Sequence, residues 1–236
     1  VLNVALLIAV STFDDAIKAD EKNGQAYAWK ACALGQGLFR GYLEEDFNTV
    51  WKQAEDNLKK ARELNENDFE VHRLMSEVSL AMKDFRAAQR HSKICYEQVP
   101  NDPRVLSVYG EVCLRTGKVD EGLDAVKLAL EIDPVAQGKT NADPRHAAVI
   151  FGYYMARDKE GCLEQINNLE EIDFKSWLLT TKICRDEEHE FSNLDWFQEG
   201  KKLFSDKDFE KEVQDFRLNN DSATETLISF AKELFS

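Results

Sequence analysis

An all-α protein, folded as a right-handed α-solenoid of about five helix hairpins with capping helices at its C-terminal end, is the fold class this sequence predicts. The first observation behind it is composition. In 236 residues there are only 4 Pro and 11 Gly, so turn chemistry is sparse, while 43% hydrophobic and 31% charged residues suffice for a core and a solvated surface. The second is self-similarity: Asn67–Pro100 and Asn101–Pro134 align without a gap at a spacing of 34. The third is the placing of small residues. Ser76 aligns with Gly110, Ala88 with Gly122 and Cys95 with Ala129, while Pro100 aligns with Pro134. Small side chains are needed where the two helices of a hairpin cross, and Pro stops the second helix of each unit.

In chain order, residues 1–23 hold the helical stretch Ala5–Ala19, which reads as the second helix of a unit whose first helix is missing; with Val1 in place of Met, this suggests a fragment of something longer. Residues 24–66 form a unit with an insertion. Gly24–Phe39 is its first helix and Asp46–Asn65 its second, with Ala54 and Ala61 standing 34 residues before Ala88 and Cys95. Between them GYLEEDFNTVW departs from the period by about eleven residues. Residues 67–100 and 101–134 are the regular units. The register slips near QGKTNA and resumes over 142–174 as DPRHAAVIFGYYMARDKEGCLEQINNLEEID, where Cys162 occupies a small-residue position. Regularity therefore breaks near Gly41–Trp51 and Gln137–Asn141. These features resemble the tetratricopeptide repeat (TPR), a helix–turn–helix unit of 34 residues, and the resemblance covers nearly the whole chain.

Residues 175–236 are an irregular last unit: Lys175–Cys184, the acidic RDEEHE, Leu194–Phe204, Asp208–Arg217 and a closing helix. Ser222 and Glu225 have capping-box spacing before an apolar face of Leu227, Ile228, Ala231, Leu234 and Phe235, as expected of a cap on the end of a stack. Within this part LDWFQEGKKLFSDKDFEKEVQDFRL, with Trp196, Phe197, Phe204, Phe209 and Phe216, is similar to the ends of TPR regions attached to bacterial class III adenylate cyclases and winged-helix regulators. Asp206-Lys207 stands where those regions carry Asp-Pro.

The net charge is −14, which argues against nucleic acid and anionic membrane surfaces as ligands. No apolar run reaches the roughly twenty residues of a membrane span. Cys32, Cys95, Cys113, Cys162 and Cys184 form no C-x-x-C pair and read as small buried residues of a reducing, cytoplasmic setting. Nucleotide-binding, zinc-protease and nucleophile-elbow motifs are missing, so the expectation is not an enzyme, with no catalytic residue, cofactor or metal. His72 and His146 fall where they pack rather than catalyse, and His91, beside Arg90 and Lys93, reads as solvated. Cys184 to Glu190 contains metal-donor types without ligand geometry, and a charged loop explains it equally well.

What remains is binding. The TPR resemblance implies first helices lining a concave face, and residues three to four apart on those helices would point into it. They are Glu70, Arg73, Glu77 and Leu80 in one unit; Arg104, Ser107, Glu111 and Leu114 in the next; and Pro144, Ala147, Phe151 and Tyr154 in the third. Repeat proteins that clamp acidic chaperone C-termini use Lys and Asn there, so Glu77 and Glu111 speak against that partner class. A scaffold binding a protein or a basic or amphipathic peptide is the expected function, since the negative field draws cations. The alternative is the regulatory or sensory region of a larger adenylate cyclase or transcription regulator.

Overall fold

The computed structural model describes residues 2–39, 46–136 and 139–236, and of Leu2, Asn3 and Phe39 only the backbone. Gly41–Glu45 of the insertion, and Gln137 and Gly138 of the register slip, lie outside the described residues. Among the described residues there are thirteen helices and no strand. They are α1 (Leu2–Ala19), α2 (Gly24–Phe39), α3 (Phe47–Leu64), α4 (Phe69–Ala81), α5 (Phe85–Gln98), α6 (Pro103–Arg115), α7 (Val119–Ile132), α8 (Asp143–Met155), α9 (Lys159–Ile166), α10 (Phe174–Asp186), α11 (Asp195–Leu203), α12 (Phe209–Gln214) and α13 (Asp221–Leu234).

Two local devices punctuate the hairpins. The first is an acidic N-cap: Asp46, Asp68, Asp84, Asp102, Asp158, Asp173 and Asp208 each accept a hydrogen bond from a backbone N–H in the first turn of the helix that follows. A carboxylate there satisfies an orphan donor and meets the positive end of the helix dipole. Lys118, which stands 34 residues after Asp84, makes no such bond. The second device is a left-handed residue closing each of four first helices: Lys83, Gly117, Arg157 and Glu188 have φ of 58°, 88°, 59° and 54°. In each turn the next residue's N–H reaches back to a carbonyl near the helix end, as Asp84 to Ser79, Lys118 to Cys113, Asp158 to Tyr153 and His189 to Cys184. This is the Schellman arrangement, and only one of the four uses glycine.

Hairpins α2–α3, α4–α5, α6–α7 and α8–α9 stack in order. The first helices α2, α4, α6, α8 and α10 pack on one another, whereas no comparable packing joins α3, α5, α7 and α9 among the described residues. The stack therefore closes toward its first helices, which form the concave side. At the α6–α7 crossing the chains come so close that a Cβ on Gly122 would lie 2.8 Å from the Leu114 nitrogen and 2.9 Å from the Gly110 oxygen. In the preceding hairpin the Ser76 hydroxyl donates to the Ala88 carbonyl across the same crossing at 3.1 Å.

The far end is built differently. Instead of one second helix, α11, α12 and α13 surround α10, and nine of its thirteen residues are buried. Trp177 is its hub: the indole N–H donates to the Phe197 carbonyl at 3.2 Å, and the rings of Phe174, Phe197, Phe204 and Phe235 lie about it. Trp196, Phe197, Phe204 and Phe216, with half-buried Phe209, join this core. One local expectation is corrected. Helix α13 is capped by Asn220, whose side chain accepts from the Ala223 N–H, and Ser222 lies inside the helix. Asn is as good a cap as Ser and stands closer to the preceding turn.

Candidate peptide-binding face

The concave side begins with a buried charge network. Arg73 on α4 donates to both carboxylate oxygens of Glu70, at 3.2 and 2.7 Å, and to Glu77 at 2.6 Å. Arg104 on α6 reaches Glu70 at 3.2 Å and makes two bonds to Asp102 at 3.2 and 2.7 Å. Arg73 also lies 5.8 Å from the Trp29 ring of α2. Burial opposes the charge of Arg73, but the bonds to Glu70 and the charge of Glu77 outweigh it and hold the guanidinium firmly protonated. Burial raises the Glu77 carboxyl, with Arg73 opposing. Arg73 is thus held in a buried network, with Glu77 at its partly exposed edge.

Further along, Ser107 donates to the Pro103 carbonyl at 2.9 Å and accepts from Arg145 of α8. Glu111 accepts from Arg115 at 3.1 Å. Phe151 is fully buried, with the Arg115 guanidinium 4.8 Å and the Lys175 ammonium 4.0 Å from its ring centre. Burial would raise the Glu111 carboxyl, but Arg115, Lys175 and Arg217 draw it below its ordinary value. Burial, with Arg115 adding repulsion, pulls the Lys175 ammonium down to about 8 against the pull of Glu111 and Asp173.

Of the residues the sequence placed on this face, Glu70, Arg73, Leu80, Leu114 and Phe151 are buried, while Glu77, Arg104, Ser107, Glu111, Ala147 and Tyr154 keep partial exposure and Pro144 is exposed. Sequence periodicity did not reveal what covers the buried ones. Between α12 and α13 a short irregular segment crosses the face: the Phe216 carbonyl accepts from Arg115 at 3.2 Å, and Phe216 and Leu218 are buried. No local pattern marks a segment that packs 101 residues away from its partner.

A cavity of about 210 Å³ opens between α2, α3 and α4. Its walls are apolar, from Ala31, Gly35, Ala54, Leu58, Leu74 and Val78 among others, and its polar groups include Glu55, Glu77 and Arg217. Cys32 lines it, and burial pushes its thiol up to about 11, so it contributes as a neutral wall. Cys95, Cys113, Cys162 and Cys184 are buried and all five are unpaired.

Three of the histidines make contacts between first and second helices. His91 is buried, not solvated: its Nδ1 lies 2.8 Å from that of His72, whose Nε2 lies 2.8 Å from the Glu66 carbonyl. Because a carbonyl only accepts, His72 carries its proton on Nε2, and His91 must donate from Nδ1. His146 pairs with Gln165 at 2.8 Å. Among the described residues no three His, Cys, Asp or Glu side chains are grouped to hold a metal ion. No helix of the described residues is long and apolar enough to cross a membrane.

No family model and no curated protein matches the chain. Solved structures do. Pseudomonas aeruginosa PilF superposes with a TM-score of 0.62 at 15% identity, over 92% of this chain and 93% of that one. YrrB, described as a TPR protein with an unusual peptide-binding site, gives 0.47 at 16% identity over 78% and 84% of the two chains. Yeast Tom70 gives 0.43 at 13% identity, over 98% of this chain and 59% of that one. The PilF likeness shows the fold, and at 15% identity the fold alone. With the helix order above, the chain is an α-solenoid of TPR-like hairpins.

Proposed function

We propose that this chain is a non-enzymatic protein-interaction scaffold that takes a peptide or protein partner on the face made by its first helices. The observation that carries the reading is the cavity of about 210 Å³, which offers an apolar site for a side chain beneath the carboxylates of Glu55 and Glu77. An apolar pocket with a few placed charges is the usual form of a recognition site. The acidic rim and the net charge of −14 favour a basic or amphipathic peptide. Glu77, Arg104, Ser107, Glu111 and Tyr154 have surface left to meet it, and Glu70, Arg73 and Phe151 support the face from below. Five unpaired thiols suit a reducing, cytoplasmic setting.

The test is selection of peptides from a random display library, followed by anisotropy titrations against Gly35→Phe and Glu55→Lys. An added Cβ at Gly35 meets nothing within 4 Å, so the aromatic ring can fill the cavity without disturbing α2. Selected peptides should lose at least tenfold in affinity for Gly35→Phe, and basic ones should weaken on Glu55→Lys. Peptides that bind both variants as tightly as the parent chain would place the partner elsewhere and overturn the reading.

A further inference from the structure

We infer that Phe216–Leu218 is an intramolecular stand-in for the ligand of this face, so that the partner it fits is a peptide carrying a basic residue between two apolar ones, which binds by displacing the chain's own segment. The inference rests on the function proposed above and specifies its partner.

The segment is held as a ligand would be. Its two ends are fixed, by the end of α12 at Gln214 and by Asn220 capping α13, and between them Phe216 reaches the first helices α6 and α10. Phe216 inserts its ring 6.1 Å from Phe174 and 5.9 Å from the Lys175 ammonium, and its carbonyl takes a hydrogen bond from Arg115. Arg217 lies on the acidic part of the face. It lines the cavity that holds Glu55 and Glu77, and its charge acts on the Glu111 carboxyl. Leu218 lines a second cavity, of about 440 Å³, with Leu114, Arg115, Tyr154 and Met155.

Two observations argue for exchange over permanent packing. The segment has open space on both sides, the two cavities meeting it at Arg217 and at Leu218. The fit is also incomplete: Arg217 is held at φ 51°, a conformation L residues rarely adopt, and the buried Nε of Arg115 has no acceptor. A free peptide can take an unstrained backbone path and offer Arg115 a further carbonyl. It must compete with a tethered segment whose effective concentration is roughly millimolar, so the parent chain binds weakly until the segment is released.

The experiment uses a fluorescein-labelled peptide of residues 212–220 and the full chain, as parent and as Arg217→Glu, which sets a carboxylate against Glu77 and Glu111 and expels the segment. Circular dichroism checks folding, and Arg217→Ser replaces the first variant if that one unfolds. The labelled peptide should bind the variant at least tenfold more tightly than the parent, and the same peptide with Arg217→Glu should not bind. Equal affinity for parent and variant, or equal binding of the charge-reversed peptide, overturns the inference. Library-selected peptides are titrated on the same variant: if they bind and the 212–220 peptide does not, the face is a binding site and this assignment of its ligand is wrong. If neither binds, both fall.

Discussion

Glu70 and Arg104 occupy the same place in successive units, 34 residues apart, and their side chains meet at 3.2 Å. A position that repeats in sequence thus alternates in charge and joins α4 to α6 through a buried carboxylate. Glu70 depends more on Arg73, which makes two bonds to it from a side chain only 7% exposed, than on Arg104, which is 31% exposed and shared with Asp102. Removing the buried partner leaves Glu70 underpaired in the interior, so Arg73→Met should cost about 3–5 kcal/mol, while Arg104→Met should cost about 1 kcal/mol or less. Urea unfolding of the two variants decides it, and equal losses would contradict a buried network centred on Arg73.

Glycine substitutions separate crossing contacts from helix propensity. A Cβ at Gly122 would press on backbone atoms, which cannot turn aside, so Gly122→Ala should destabilise on the order of 1–3 kcal/mol despite the better propensity of Ala. Gly35→Ala enters open space and should stabilise by up to about 1 kcal/mol. Denaturant midpoints that move the same way for both would show that the α6–α7 crossing is not set by Gly122.

The repeat was legible because its physical requirements recur at fixed places: Ala88 and Gly122 at crossings, and Pro100 and Pro134 after second helices. The tail aromatics were legible as a pattern but their partner was not, because Phe197, Phe204 and Phe216 meet α10 only through tertiary packing. Periodicity gave Phe151 a place on a binding face; it gave no sign that Lys175 and Arg115 would close over its ring, or that the segment at Phe216 would bond to Arg115. The His72–His91 pair escaped notice for a related reason, since an exposed-looking sequence context hid a contact between α4 and α5.

Turns offer a stabilising test. Arg157 holds the left-handed position that Gly117 holds in the preceding hairpin, and its side chain is largely exposed. A β-carbon there costs on the order of 1–2 kcal/mol, partly offset by the greater unfolded-state entropy of Gly. Arg157→Gly should therefore raise stability by about 0.5–1 kcal/mol, and Gly117→Ala should lower it. Calorimetric melting of both variants checks the pair, and a fall in melting temperature for Arg157→Gly would refute the assignment of strain to that turn.

The last prediction concerns acid. His91 titrates near 4 instead of 6.5 because burial disfavours its charged form, with His72, Arg90 and Arg62 adding repulsion and Asp84 opposing. Protonation at Nε2 leaves the Nδ1–H bond to His72 in place but takes away the lone pair that faces the Arg90 guanidinium at 3.4 Å. The unfolded chain binds this proton at higher pH than the folded one, so the contribution is fully present above 6.5 and is lost as pH falls from 6.5 toward 4. The loss approaches roughly 3 kcal/mol at the low end of that window. His91→Gln keeps an N–H to offer His72 but cannot titrate. Urea unfolding at several pH values between 7.5 and 5 should show a shallower fall for His91→Gln than for the parent chain, the other titrating groups being common to both. Parallel curves would mean that the buried pair does not govern stability in this range.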